Sequence, residues 1–176
     1  MTDRERLTLE NDLEAEPEIG RWLAAMEDGR RDTLVELEGV RDDMLDARPA
    51  ESENSIGTTL YHVALVEADW LFDDIFGEVL GSTELAPLFP FDARDDHGIL
   101  TGVAGVPLAE HLDRLERVRA ALIERIAPMS LREFTAPRER TAYDVSPVWV
   151  LNHLLQHESE HRAEIGWLKR HAGSAG

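Results

Sequence analysis

Three of the chain's seven histidines, His153, His157 and His161, recur at four-residue steps. On a helix each such step rotates the side chain by only about 40°, so the three imidazoles share one broad face. Val150, Leu154, Ile165 and Leu168 occupy the same face, which therefore points inward. One histidine in such a stripe is ordinarily a packed, hydrogen-bonded core residue. A pair one turn apart is different, because burying both without a shared partner is costly. A divalent cation is the natural partner for two converging imidazoles. His153 and His161 are separated by about 12 Å of rise, so one metal takes at most two adjacent members of the series. A third ligand must come from elsewhere, and His62, within one residue of the stripe through Val63, Val66 and Trp70, is the best source.

The remaining histidines read more plainly. His97 lies in a glycine-rich connection and is expected as an exposed loop side chain. His111 flanks an apolar stripe and is expected at the surface or rim. His171 falls near a helix C-terminus, where a cation suits the dipole. There is no cysteine. Disulfides, thiolate metal sites and cysteine nucleophiles are thereby removed, and a sulfur nucleophile would have to arrive with a cosubstrate.

Four helices are needed to position these side chains. Pro17 suits a first helical turn. Ile19, Trp22, Leu23, Met26, Thr33, Leu34, Leu37 and Val40 or Arg41 then follow amphipathic spacing, and the helix should fade near Asp46, before Arg48-Pro49. Asn54 or Ser55 can cap a second helix with the stripe Leu60, Val63, Val66 or Glu67, Trp70, Leu71 and Ile75, with Gly77 and Gly81 as stop signals. A long connection from Ser82 to Val106 must cover something or cross the fold. Pro107 opens a third helix with Leu108, Leu112, Leu115, Val118, Leu122 and Ile126. A second connection spans Met129 to Val145. Ser146-Pro147 starts a fourth helix that runs to about His171. The expected fold is all-α, a four-helix bundle with two long connections and no convincing strand, formed as one domain over residues 1–176. Residues 1–16 read as a loose lead-in and 172–176 as a small-residue tail.

The 176 residues carry 36 acidic and 18 basic side chains, a net charge of −18. Such a chain is repelled by phosphate backbones and anionic membrane surfaces, so neither nucleic acid nor membrane is an expected partner. No apolar run has the length of a membrane span, and the polar N-terminus does not read as a signal peptide. The expected location is the cytoplasm.

Two stretches resemble a known family. Ser55-Ile56-Gly57-Thr58-Thr59-Leu60-Tyr61-His62-Val63-Ala64-Leu65-Val66-Glu67-Ala68-Asp69-Trp70 is similar to the second-helix motif of the DinB-like (DinB/YfiT) bundles. Val150-Leu151-Asn152-His153-Leu154-Leu155-Gln156-His157-Glu158-Ser159-Glu160-His161-Arg162-Ala163-Glu164-Ile165 is similar to the last-helix motif. The resemblance covers roughly residues 17 to 171. It implies up-down-down-up connectivity, a homodimer, and a divalent metal held by His62, His157 and His161. His153 matches a position that is often histidine without being counted as a ligand. Ala163 stands where many relatives have glycine. The family includes transferases and isomerases that use low-molecular-weight thiols, so the implied reading is a metal-dependent enzyme, with thiol S-transfer to a small-molecule substrate as its sharpest form. A hydrolase is a further enzyme class. The alternative is a non-catalytic stress-response or small-molecule-binding protein with a structural or vestigial site.

Histidine-only ligation admits zinc or nickel first, and also iron, cobalt or manganese. Three neutral imidazoles leave the metal's charge and coordination positions available for catalysis. Asp69, seven residues from His62, and Glu164, seven from His157, are placed to orient an imidazole or accept a proton; the plain alternative is solvated charge. Glu158 and Glu160 read as surface or rim residues. Arg162 is read as either paired across the bundle or exposed. Trp22, Trp70, Trp149 and Trp167 have a plain reading as core and helix-interface residues, with Trp149 and Trp167 on an edge that could instead be buried in a dimer.

Overall fold

In the computed structural model, residues 8–10 and 13–172 are described. Most of the expected lead-in, and all of the expected tail but Ala172, lie outside the described residues. The chain is mostly helical. The elements are α1 (Pro17–Glu36), α2 (Asp42–Leu45), α3 (Ile56–Asp69), α4 (Leu108–Ile126), α5 (Leu131–Thr135), a small ribbon of β1 (Arg138–Glu139) and β2 (Asp144–Val145), and α6 (Pro147–His171).

Local chemistry sets the helix ends. Pro17 begins α1, as its missing N–H allows. The helix does not run on to Asp46. It stops at Glu36, and Gly39 takes a left-handed φ of 79°, turning the chain before the separate α2. Ser55, rather than Asn54, caps α3 by accepting from the Thr58 N–H. After Asp69 the helix widens into π-type turns over Trp70–Phe76, and Gly77 ends it at φ 66°. Ser146 caps α6, with Pro147 in its first turn.

The long helices bury their apolar stripes against one another, α6 on α1 and α3, and α3 on α4. Ile19, Leu23, Leu71, Val118, Leu122, Ile126, Val150 and Leu151 form the main core. Leu37, Leu60, Val63, Leu115, Ile165 and Leu168 belong to a second cluster. Leu34, placed in the α1 stripe by spacing, is instead 44% exposed.

The first connection covers α3. The Tyr61 hydroxyl donates to the Phe91 carbonyl at 2.7 Å and accepts from the Phe91 N–H at 2.9 Å. The Val103 N–H donates to Thr58 Oγ1 at 3.1 Å. The second connection departs from expectation by containing the ribbon, in which Arg138 pairs with Val145 and Glu139 with Asp144. Two residues per strand are too few to show alternation. Among the described residues no helix is long and apolar enough to cross a membrane.

Candidate metal centre

His62 lies in the second turn of α3 and is 5% exposed. His157 and His161 face it from successive turns of α6. The Nε2 atoms of His62 and His157 are 3.2 Å apart. One nitrogen from each of the three rings lies within 4.8 Å of the other two. The ring centroids stand 5.1 Å (His62–His157), 5.0 Å (His62–His161) and 4.5 Å (His157–His161) apart. Two nitrogens bound to a tetrahedral ion at about 2.05 Å sit about 3.3 Å from each other. The His62–His157 pair is therefore already at a ligand–ligand separation, and the set fits a divalent cation.

Burial supports the same fit. It pulls His62 down to about 4, assisted by the neighbouring charges of His161 and Arg94. It pulls His157 down to about 3, assisted by His161, His62 and His153. Both rings are neutral at pH 7, the form a metal requires, so binding displaces no proton from them.

Glu164 is the carboxylate the fold brings to this cluster. Its Oε2 lies 2.8 Å from His161 Nδ1, and its Oε1 accepts from Asn54 Nδ2 at 2.7 Å. The His161 hydrogen bond, followed by that of Asn54, holds its carboxyl below the usual range against the opposing effect of burial. An ionised Glu164 fixes a proton on Nδ1 and turns Nε2 of His161 toward the other imidazoles.

Asp69 is placed differently. Among the described residues no hydrogen bond joins it to the three imidazoles. It lines a separate cleft of about 250 Å³ with Leu65, Phe89, Phe91 and Asp92, under the first connection. Burial, then repulsion from Asp73, Asp74 and Asp92, raises its carboxyl to about 6.

His153 stays outside the cluster, 6.0 Å from His157 by ring centroids. It stacks on Trp149 at 5.2 Å and 12°, and meets Trp70 edge-on at 4.9 Å. Trp149 is 49% exposed. Trp167 stacks on His171 at 4.3 Å. His97 and Glu160 are exposed. Arg162 pairs across to Asp32 of α1 at 2.9 Å.

Two expectations are corrected. His111 is 1% exposed rather than at the rim, with Nδ1 3.2 Å from Arg114 Nη1 and Nε2 against Gly57. Gly57 leaves the room that admits the ring, so the close approach of α3 and α4 buries it. Glu158 is 4% exposed rather than at the surface.

Glu158 belongs to a buried ionic tetrad built from one residue of each long helix. Arg30 of α1 reaches Glu158 at 2.6 Å and Glu67 of α3 at 2.8 Å. Arg119 of α4 reaches Glu67 at 2.7 Å and Glu158 at 3.0 Å. The guanidinium groups also donate to the carbonyls of Leu115 and Met26. Two positive and two negative charges cancel, which makes burial tolerable. The tetrad abuts the centre in sequence, Glu158 following His157 and Glu67 lying five residues after His62. Its signal in the sequence was a charge inside an apolar stripe: Glu158 falls four residues after Leu154 and seven before Ile165.

A mostly helical chain with three imidazoles converging from two helices defines a class of candidate metalloproteins. The family model described as the DinB superfamily matches residues 25–165, and the chain belongs to that superfamily. A crystal structure of a protein from Streptococcus pneumoniae is similar over 90% of this chain and 94% of that one, with a TM-score of 0.63 and 16% identity; this likeness concerns the fold. No curated protein matches the chain.

Proposed function

We propose that this protein is a metal-dependent enzyme whose centre is a divalent transition metal held by His62, His157 and His161, and that it transfers a low-molecular-weight thiol to a small-molecule electrophile. The observation that carries the metal reading is the approach of the three ring nitrogens to within 4.8 Å of one another. Zinc or nickel suits three imidazoles, with iron, cobalt or manganese next. When bound, the metal supplies a Lewis acid that favours the thiolate form of a coordinated thiol.

The chain's own residues divide the remaining work. Glu164 fixes the tautomer of His161. Asp69, raised to about 6, lines the separate cleft under the first connection and could take a proton only from a substrate that extends into it. The first connection, anchored at Tyr61 and Thr58, limits water over this side of α3. The absence of cysteine supports an external sulfur source. Within this reading the long helices form a four-helix bundle with up-down-down-up connectivity, and the protein works as a cytoplasmic homodimer.

Metal analysis of protein purified without an affinity tag tests the centre. About one transition-metal ion per chain is expected, falling at least tenfold in His157→Ala. Equal and negligible metal in both would remove the proposal. Incubating the loaded protein with a panel of thiols and electrophiles tests the transfer. A conjugate that forms only with metal present supports it, and none across the panel counts against it.

A further inference from the structure

Two irregular pieces of the fold, the π-type turns at Trp70 and the β1–β2 ribbon, frame one cleft of about 500 Å³. Three aromatic rings line it. Trp70 comes from the widened end of α3, Tyr143 from the ribbon and Trp149 from the first turn of α6. The ring centroids of Trp70 lie 6.1 Å from Tyr143 and 5.5 Å from Trp149. Tyr143 and Trp149 are 47% and 49% exposed, so much of their surface lies open to solvent. Pro137 and Val145 complete an apolar wall, and Asp144 is the charged side chain in the lining.

The groups that line this cleft are negative in character. Aromatic faces are negative, and the Tyr143 hydroxyl donates to Asp74 Oδ1 at 2.6 Å, which pushes electron density into its ring. Asp144 adds a full negative charge. The N-terminus of α6, which would favour an anion, is largely quenched there. Pro147 has no N–H, and the Trp149 N–H is turned to the Ser146 hydroxyl. The nearby Arg140 guanidinium is held by the carbonyl oxygens of Asp74 and Glu139 and is the opposing positive charge beside the cleft, which Asp74 and Asp144 outweigh in number. Three aromatic rings and a carboxylate in one lining are the complement of an organic cation with an apolar surface.

We infer that the cleft of Trp70, Tyr143 and Trp149 binds an organic cation of the alkylammonium class, with Asp144 as its counter-charge. The site stands apart from the three-histidine cluster and does not depend on a metal. His153, stacked on Trp149 and edge-on to Trp70, lies between the two, Trp149 and His157 being about two helical turns apart along α6.

Choline serves as the probe, with 3,3-dimethyl-1-butanol as its uncharged isostere. Tryptophan emission of the full chain is followed during each titration, with chelator present so that the metal reading plays no part. A saturable change with choline, at least about tenfold tighter than with the isostere, is expected. Trp149→Leu should weaken choline about tenfold, Trp149→Phe should retain most of the affinity, and Asp144→Asn should weaken it severalfold. Equal affinity for choline and the isostere would overturn the inference, as would no saturable response or unchanged affinity in Trp149→Leu. Trp149 is half-exposed at a helix end, so these variants should fold; unaltered helical circular dichroism verifies it.

Discussion

The Nε2 atoms of His62 and His157 lie 3.2 Å apart although 95 residues separate them in the chain. Neutral rings allow the approach: burial holds both imidazoles far below their ordinary value, so no pair of positive charges opposes it. A metal would sit where the third ring, His161, converges.

The cluster and its neighbour should separate cleanly by mutation. His62→Ala and His161→Ala should each lower bound metal at least tenfold, whereas His153→Ala should keep it, since that ring stacks on Trp149 instead. Elemental analysis of dialysed protein measures this. Loss of metal in His153→Ala equal to that in His62→Ala would refute the assignment.

Glu164→Gln should preserve the fold and weaken the metal about 10–100-fold, because a neutral amide orients His161 less firmly than a carboxylate does. Competition with a calibrated chelator gives the affinity. An unchanged value would reduce Glu164 to a bystander.

The ionic tetrad should govern stability. Glu158→Ala leaves Arg30 and Arg119 short of a buried partner and should cost about 3–5 kcal/mol. For a chain of this size that lowers the melting temperature by roughly 10 °C. Replacing Glu160, exposed two residues further along α6, should change stability by no more than about 0.5 kcal/mol. Similar melting curves for the two variants would contradict the buried role.

His111 gives the pH dependence. Burial, then the charge of Arg114, lowers it to about 4, so between pH 6.5 and 4 the unfolded chain binds the proton and the folded chain does not. Stability contributed by the neutral ring is therefore complete above the unfolded value and is lost as pH falls through this window, by about 2–3 kcal/mol. His62 and His157 act in the same direction. Denaturant midpoints measured from pH 7 to 4 should fall, and His111→Asn should flatten the slope. A slope identical to wild type would exclude His111 as a source.

Asp69 lines a cleft apart from the imidazoles, so Asp69→Asn should leave bound metal unchanged and should remove a limb of the rate profile near pH 6 only where the substrate extends into that cleft. An unshifted limb would assign it to another group.

The histidine series, the cap at Ser146, and to within one alternative the cap at Ser55 and the stop at Gly77 could be read from local spacing, because each depends on neighbours within a turn or two of chain. Other features required the assembled helices. Thr33 is buried as its spacing implied, yet Leu34 beside it is exposed, because only the packing decides where the edge of a stripe falls. Glu158 lay in an apolar stripe, but its counter-charges came from positions 39 and 128 residues away. Asp69 and Glu164 had equal claims by their seven-residue offsets. The tertiary structure set Glu164 against His161 and turned Asp69 into a separate cleft. Periodicity fixes which face of a helix a side chain occupies, while long-range packing decides what stands opposite and therefore what the side chain can do.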